Sequence, residues 1–107
     1  MKFIFGKQLS EEELAKQCKV HNAKAQHILY TTYAPQVKGL CYRYVLDAET
    51  AEDITHECFI KILTRIDSFE WKGNGSLRAW ISKIAVHASL DYIRTNKKLT
   101  SISDNVL

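Results

Sequence analysis

The chain is poor in residues that break helices. Its 107 residues include one proline, Pro35, and four glycines. That scarcity disfavours a many-turned β-sandwich or barrel, whose short strands are punctuated by Gly and Pro. Cys18, Cys41 and Cys58 are odd in number and lack a C-x-x-C pair. A disulfide framework is therefore not expected, and a reducing compartment is. No apolar run approaches the roughly 20 residues of a spanning helix. Phe3-Ile4-Phe5 is too short for the core of a signal peptide. A cytoplasmic protein without membrane insertion is expected.

What is present suits one soluble domain. Apolar residues make up 46% of the chain, enough for a single core at this length. The net charge of +3 is modest, but its distribution is uneven. Residues 1–70 carry nine Lys/Arg against ten Asp/Glu, and residues 71–107 carry six against two. An acidic first part and a basic last third suggest two partner surfaces of opposite sign, beside the plainer reading of solvated faces.

The apolar periodicity predicts an all-α fold, a small bundle of about four helices. Ser10 with Glu13 forms a capping box for a short helix reaching about Val20, and Glu11 and Glu12 suit the positive end of its dipole. Asn22 is the expected cap of a second helix. Its apolar stripe comprises Ile28, Leu29, Tyr33, Val37, Leu40, Cys41, Tyr44 and Val45. Pro35 predicts a kink or break near residues 32–34. Thr50 with Asp53 resembles a second capping box, followed by a helix with Ile54, Cys58, Phe59, Ile62, Leu63 and Ile66 on one face. Its opposite face carries Glu52, Asp53, His56 and Glu57. A loop with Gly73 and Gly75 around Asn74 follows, and Ser76 is the expected cap of a last helix running to about Asn96. That helix should turn Leu77, Trp80, Ile81, Ile84, Ala85 and Ala88 to the core. Residues 1–9 read as a tail, 10–98 as the domain and 99–107 as the start of a linker.

Several sites can be weighed on residue chemistry alone. His56-Glu57 begins like the zinc motif H-E-x-x-H, but the second histidine position is Ile60, so no metal site is expected. His21, His27 and His87 are dispersed. Asp53 and Glu57 lie one helical turn apart, with no nucleophile or companion base to make them catalytic. They read as a solvated face or as an acidic dock for a basic partner. The segment K-G-N-G-S lacks the spacing of a phosphate loop. No catalytic constellation and no cofactor are expected. Trp71 beside Lys72 either plugs the core or stands out as a stacking platform of the kind single-strand binders use. The last helix carries Arg78, Lys83, Arg94, Lys97 and Lys98, a basic row that points towards nucleic acid when set beside the Trp-bearing loop.

Together these segments carry a resemblance. A-E-D-I-T-H-E-C-F-I-K-I-L (residues 51–63) is similar to the signature helix A-E-D-x-x-Q-E-x-F of bacterial sigma factors. F-E-W-K-G-N-G-S-L-R-A-W-I-S-K-I-A-V-H-A-S-L-D-Y-I-R (residues 69–94) resembles their melting and recognition segment. L-Y-T-T-Y-A-P (residues 29–35) resembles their opening helix. The likeness spans about residues 10–98 and is strongest to the extracytoplasmic-function branch.

The resemblance implies region 2 of a sigma factor, a non-enzymatic domain that docks on core RNA polymerase and recognises and melts the promoter −10 element. It places Glu52, Asp53, His56 and Glu57 against the β′ clamp helices, with Phe59 as a packing residue. It assigns the loop residues Trp71, Lys72 and Asn74 and the face Lys83, His87, Asp91 and Arg94 to the non-template strand, and the basic row adds Arg78, Lys97 and Lys98 to the DNA-binding set. An anti-sigma factor is a further implied partner. A second DNA-binding domain, for the −35 element, is expected beyond the linker and is not within these residues. His56 stands where the family usually has Gln, and its imidazole can still make one hydrogen bond in the dock. His87 stands where the family usually has Asn, a residue placed to read a base edge, so the −10 sequence preferred by this chain does not follow from the resemblance. Two other readings stay open: a helical protein-interaction module without a nucleic-acid role, and a duplex-binding helix-turn-helix domain.

Overall fold

The computed structural model describes residues 3–4 and 7–106, with side chains described for residues 9–96. Four helices carry the fold, as expected: α1 (Glu11–Lys19), α2 (Ala23–Val45), α3 (Ala48–Arg65) and α4 (Ser76–Val106). A single 3-10 turn, Ile66–Ser68, closes α3. The expected N-terminal tail contains a two-residue antiparallel ladder, β1 (Phe3–Ile4) with β2 (Lys7–Gln8), in which Phe3 faces Gln8.

Local signals set the first two helix starts. The Ser10 hydroxyl accepts from the Glu13 amide at 3.1 Å, and Asn22 Oδ1 accepts from the Ala25 amide at 3.1 Å. Each satisfies an amide that no helical carbonyl can reach. The third start falls earlier than the sequence suggested. Asp47, not Thr50, caps α3, accepting from both the Thr50 amide (2.9 Å) and the Thr50 hydroxyl (2.6 Å). Those two bonds hold the Asp47 carboxyl below its ordinary pKa.

Of the kink or break predicted near residues 32–34, a break does not occur: α2 runs continuously for 23 residues with Pro35 inside it. Pro35 lies on an exposed side, while Leu29, Val37 and Cys41 are fully buried on either side of it. An interior proline costs a helix about 3 kcal/mol. Burying side chains such as these returns about 1.5–3 kcal/mol each, which is enough to carry the helix through. α4 likewise continues past Asn96, through the stretch expected as linker, to Val106. Its 31 residues, about 46 Å of helix, give the molecule its 60 × 24 × 22 Å extents.

The core lies where α2, α3 and α4 converge, with α1 packed across one end. Ile54, Cys58, Phe59, Ile62 and Ile66 are buried from the α3 side, and Leu77, Ile81, Ala85 and Ala88 from α4. Tyr44 departs from its predicted stripe and is exposed. All three cysteines are free and buried, as small core residues. Burial pushes the Cys18 thiol up to about 11, so it stays protonated at neutral pH. Ser89 is the misfit: its hydroxyl is fully buried, and the Cys41 thiol beside it is at best a weak partner. Ser89→Ala removes that poorly satisfied group and improves helix propensity. We expect a gain of about 1 kcal/mol, a melting shift of about 4–8 °C for a domain of this size. A lower melting temperature on calorimetry would mean that the hydroxyl is held after all.

Candidate docking face and nucleic-acid interface

The acidic residues of α3 sit as the periodicity predicts. Ala51, Ile54, Thr55 and Cys58 turn inward, which leaves Glu52, Asp53, His56 and Glu57 exposed on the opposite side. None of these four forms an ion pair among the described residues. Ile60, expected only as the residue that spoils a zinc motif, lies 67% exposed, one turn beyond His56. The face is therefore an unpaired acidic surface with an aliphatic residue at its end.

A groove of about 480 Å³ runs between α3 and α4, lined among others by Asp53, Glu57 and Lys61 from one side and Asp91, Tyr92 and Asn96 from the other. Asp91, assigned from the sequence to the recognition helix, thus shares a groove with the acidic residues of α3. It also pairs with Arg94 at 2.8 Å. Both side chains are exposed, so the pair stabilises the helix little.

The loop at residues 69–75 is tightly built. Phe69 is buried and packs on Trp80, with ring centroids 5.3 Å apart. The Lys19 ammonium of α1 sits 5.9 Å above the Phe69 ring. Gly73 and Gly75 have φ of +106° and +88°, a region where side chains with a Cβ are strained. Ser76 does not cap α4 as predicted. Its hydroxyl donates to the Gly73 carbonyl (2.7 Å) and accepts from the Lys72 amide (3.1 Å), which ties the turn to itself.

The helix cap comes instead from α1. Glu11 Oε2 accepts from the Gly75 amide at 2.8 Å, and Oε1 accepts from the Arg78 amide at 3.1 Å. Nothing in the sequence connected residues this far apart. Glu11 had a sufficient local explanation in the first turn of its own helix.

Trp71 falls between its two readings. It is half-buried and packs against the core. Trp80, expected as core, is also half-buried and lines a cleft of about 330 Å³ with Ser68, Phe69, Glu70, Lys72, Ser76 and Ala79. Lys72 and Asn74 are exposed on the loop, and Lys83, His87, Asp91 and Arg94 along α4. Lys83 and His87 make no hydrogen bond or ion pair among the described residues. Arg78 is exposed but engaged, its Nε donating to Gln36 Oε1 at 2.8 Å. The side chains of Lys97 and Lys98 lie outside the described residues. No group of three or more His, Cys, Asp or Glu gathers as a metal site among the described residues, and no described helix is long and apolar enough to cross a membrane.

Comparison with known proteins gives one consistent likeness. Residues 29–99 match the model of sigma-70 region 2. The ECF RNA polymerase sigma factor SigW of Bacillus subtilis is 34% identical over 82 residues, covering 77% of this chain and 43% of that protein. The ECF RNA polymerase sigma-E factor of Haemophilus influenzae is 31% identical over 88 residues, covering 82% and 45%. The chain thus spans less than half the length of these relatives. A solved structure, the NMR complex of an engineered region 2 of sigmaE with GTAAAA, superposes with a TM-score of 0.75 at 28% identity. It covers 86% of this chain and 94% of that one.

Proposed function

The chain belongs to the sigma-70 family, as a region 2 domain of the extracytoplasmic-function branch, and from that premise we propose that it docks on core RNA polymerase and opens promoter DNA at the −10 element. One observation carries this reading furthest. The bundle presents an exposed acidic face on α3, without ion pairs among the described residues, and a glycine-turned, Trp-bearing loop that leads into α4 with its exposed Lys83, His87 and Arg94. In this reading Glu52, Asp53, His56 and Glu57 meet the β′ clamp helices. The loop residues Trp71, Lys72 and Asn74, with Lys83, His87 and Arg94, meet the non-template strand. A cytoplasmic setting follows from the polymerase partner, and an anti-sigma factor would compete for the same faces.

No covalent chemistry is needed, because strand opening is driven by binding. Extruding a base costs a few kcal/mol. Stacking on an aromatic returns about 1–3 kcal/mol per base, and phosphate contacts add to that. Charges that face a partner speed encounter and set register, and those closely paired across the contact also hold the complex together.

The test is a titration of the whole chain against isolated β′ clamp helices and, separately, against single-stranded GTAAAA and a matched duplex. We expect binding to the clamp helices, and preference for the single strand with affinity falling steeply as salt rises. Duplex preference would favour a helix-turn-helix binder. A folded chain that bound neither nucleic acid nor clamp helices would leave only a helical interaction module.

A further inference from the structure

We propose that Glu11 is a positioning residue for the promoter-opening loop, holding residues 69–75 and the first turn of α4 in the form that receives single-stranded DNA. The inference rests on the −10 reading above and deepens it. It concerns a helix outside the matched residues 29–99.

The geometry is specific. One carboxylate accepts two amides, Gly75 at 2.8 Å and Arg78 at 3.1 Å. These are the amides at the loop's exit and at the start of α4, which have no helical carbonyl to serve them. The carboxylate also lies at the positive end of the α4 dipole. α1 grips the loop at its other end too, through Lys19 over Phe69. Next to Glu11, Arg78 Nε donates to Gln36 Oε1 (2.8 Å), and Gln36 Nε2 donates to Ser82 Oγ (3.1 Å), fixing the same turn to α2.

The loop needs such a hold. Gly73 and Gly75 have unusual freedom, and a loop that samples many forms must be ordered on binding, which weakens affinity. Glu11 removes that freedom beforehand. Its charge makes the proposal testable by sign. A surface carboxylate near phosphates repels them, so removing an idle one should tighten DNA binding. Removing a positioning carboxylate should loosen binding to single-stranded DNA despite the lost repulsion.

The experiment compares the wild-type chain with Glu11→Gln, using single-stranded GTAAAA, a random duplex and the clamp helices as probes. Amide hydrogen exchange at Gly75, Arg78 and Ile81 is followed alongside. We expect single-strand affinity to fall roughly three- to tenfold, the scale of about one ordinary hydrogen bond lost, with duplex and clamp-helix binding unchanged or duplex binding tighter. Exchange at Gly75 and Arg78 should accelerate while that at Ile81 holds. Unchanged or tighter single-strand binding by Glu11→Gln, or unaltered exchange at those two amides, would overturn the proposal and leave the −10 reading standing. If Glu11→Gln fails to fold, Glu11→Asp carries the same test. It keeps the charge but is too short to reach both amides, so the same single-strand loss is expected, and wild-type affinity would overturn the proposal. Failure of the wild-type chain to bind the oligonucleotide would instead remove the −10 reading, before any variant is compared.

Discussion

Glu57→Lys is expected to weaken binding to the β′ clamp helices by about 30-fold or more, the effect of some 2–5 kcal/mol when one partner of a close interfacial charge pair is lost. Reversal adds repulsion to that loss. The fold should not notice. Glu57 is exposed, takes part in no ion pair among the described residues, and lies mid-helix where Lys is as good a helix former as Glu. Surface changes of this kind move stability by about 0.5 kcal/mol at most. Binding to single-stranded DNA should hold or rise, because the variant is more cationic. Asp53→Ala, one turn earlier, should weaken the same interaction less, since it removes a charge without reversing it. The check is a titration with both variants and a melting curve for each. Unchanged affinity in two folded variants would remove Asp53 and Glu57 from the dock, and the exposed Ile60 on the same helix would become the next place to look.

Trp71→Ala is expected to weaken binding to a −10 bubble by about 1–3 kcal/mol, the range for losing one aromatic stacking platform, and to leave duplex binding nearly unchanged. That corresponds to about 5- to 150-fold at room temperature. Trp71 is half-buried, so part of its ring rests on the core and truncation will also lower stability. Two measurements separate the effects. A melting curve reports the packing loss, and Trp71→Phe keeps a stacking ring of smaller area and should recover most of the bubble affinity. Equal losses on bubble and duplex would mean that Trp71 only closes the core. The cleft bounded by Phe69, Lys72 and Trp80 would then be the better candidate for an unstacked base.

The acidic face on α3 was legible because amphipathic periodicity records both sides of a helix. Placing Ile54, Cys58 and Ile62 inward obliges Asp53 and Glu57 to point out. The caps at Ser10 and Asn22 were legible because the donor and acceptor lie three residues apart. The loop glycines announced themselves, since positive φ is a local demand. The reading failed where a local signal had a rival. Pro35 looked like a break, but burial of Leu29, Val37 and Cys41 around it outweighs one missing amide. Thr50 looked like a cap, yet Asp47 takes that place and binds Thr50 as its partner. Ser76 looked like a cap and instead ties its own turn.

Sequence alone therefore determined the helical class, the inward and outward faces, the opposite charge of the two surfaces and the family. All of these depend on spacings of a few residues, where side-chain chemistry and helical geometry act together. Tertiary structure alone decided which surfaces meet. It brought Asp53, Glu57 and Asp91 to one groove, set Trp80 on a cleft as well as on the core, and delivered the carboxylate of Glu11 to the first turn of α4. Contacts between residues this far apart have no period and no motif. They exist because apolar burial along α1, α2 and α4 sets the rotation of each helix, and the polar groups at the helix ends then bind whatever that rotation brings within reach.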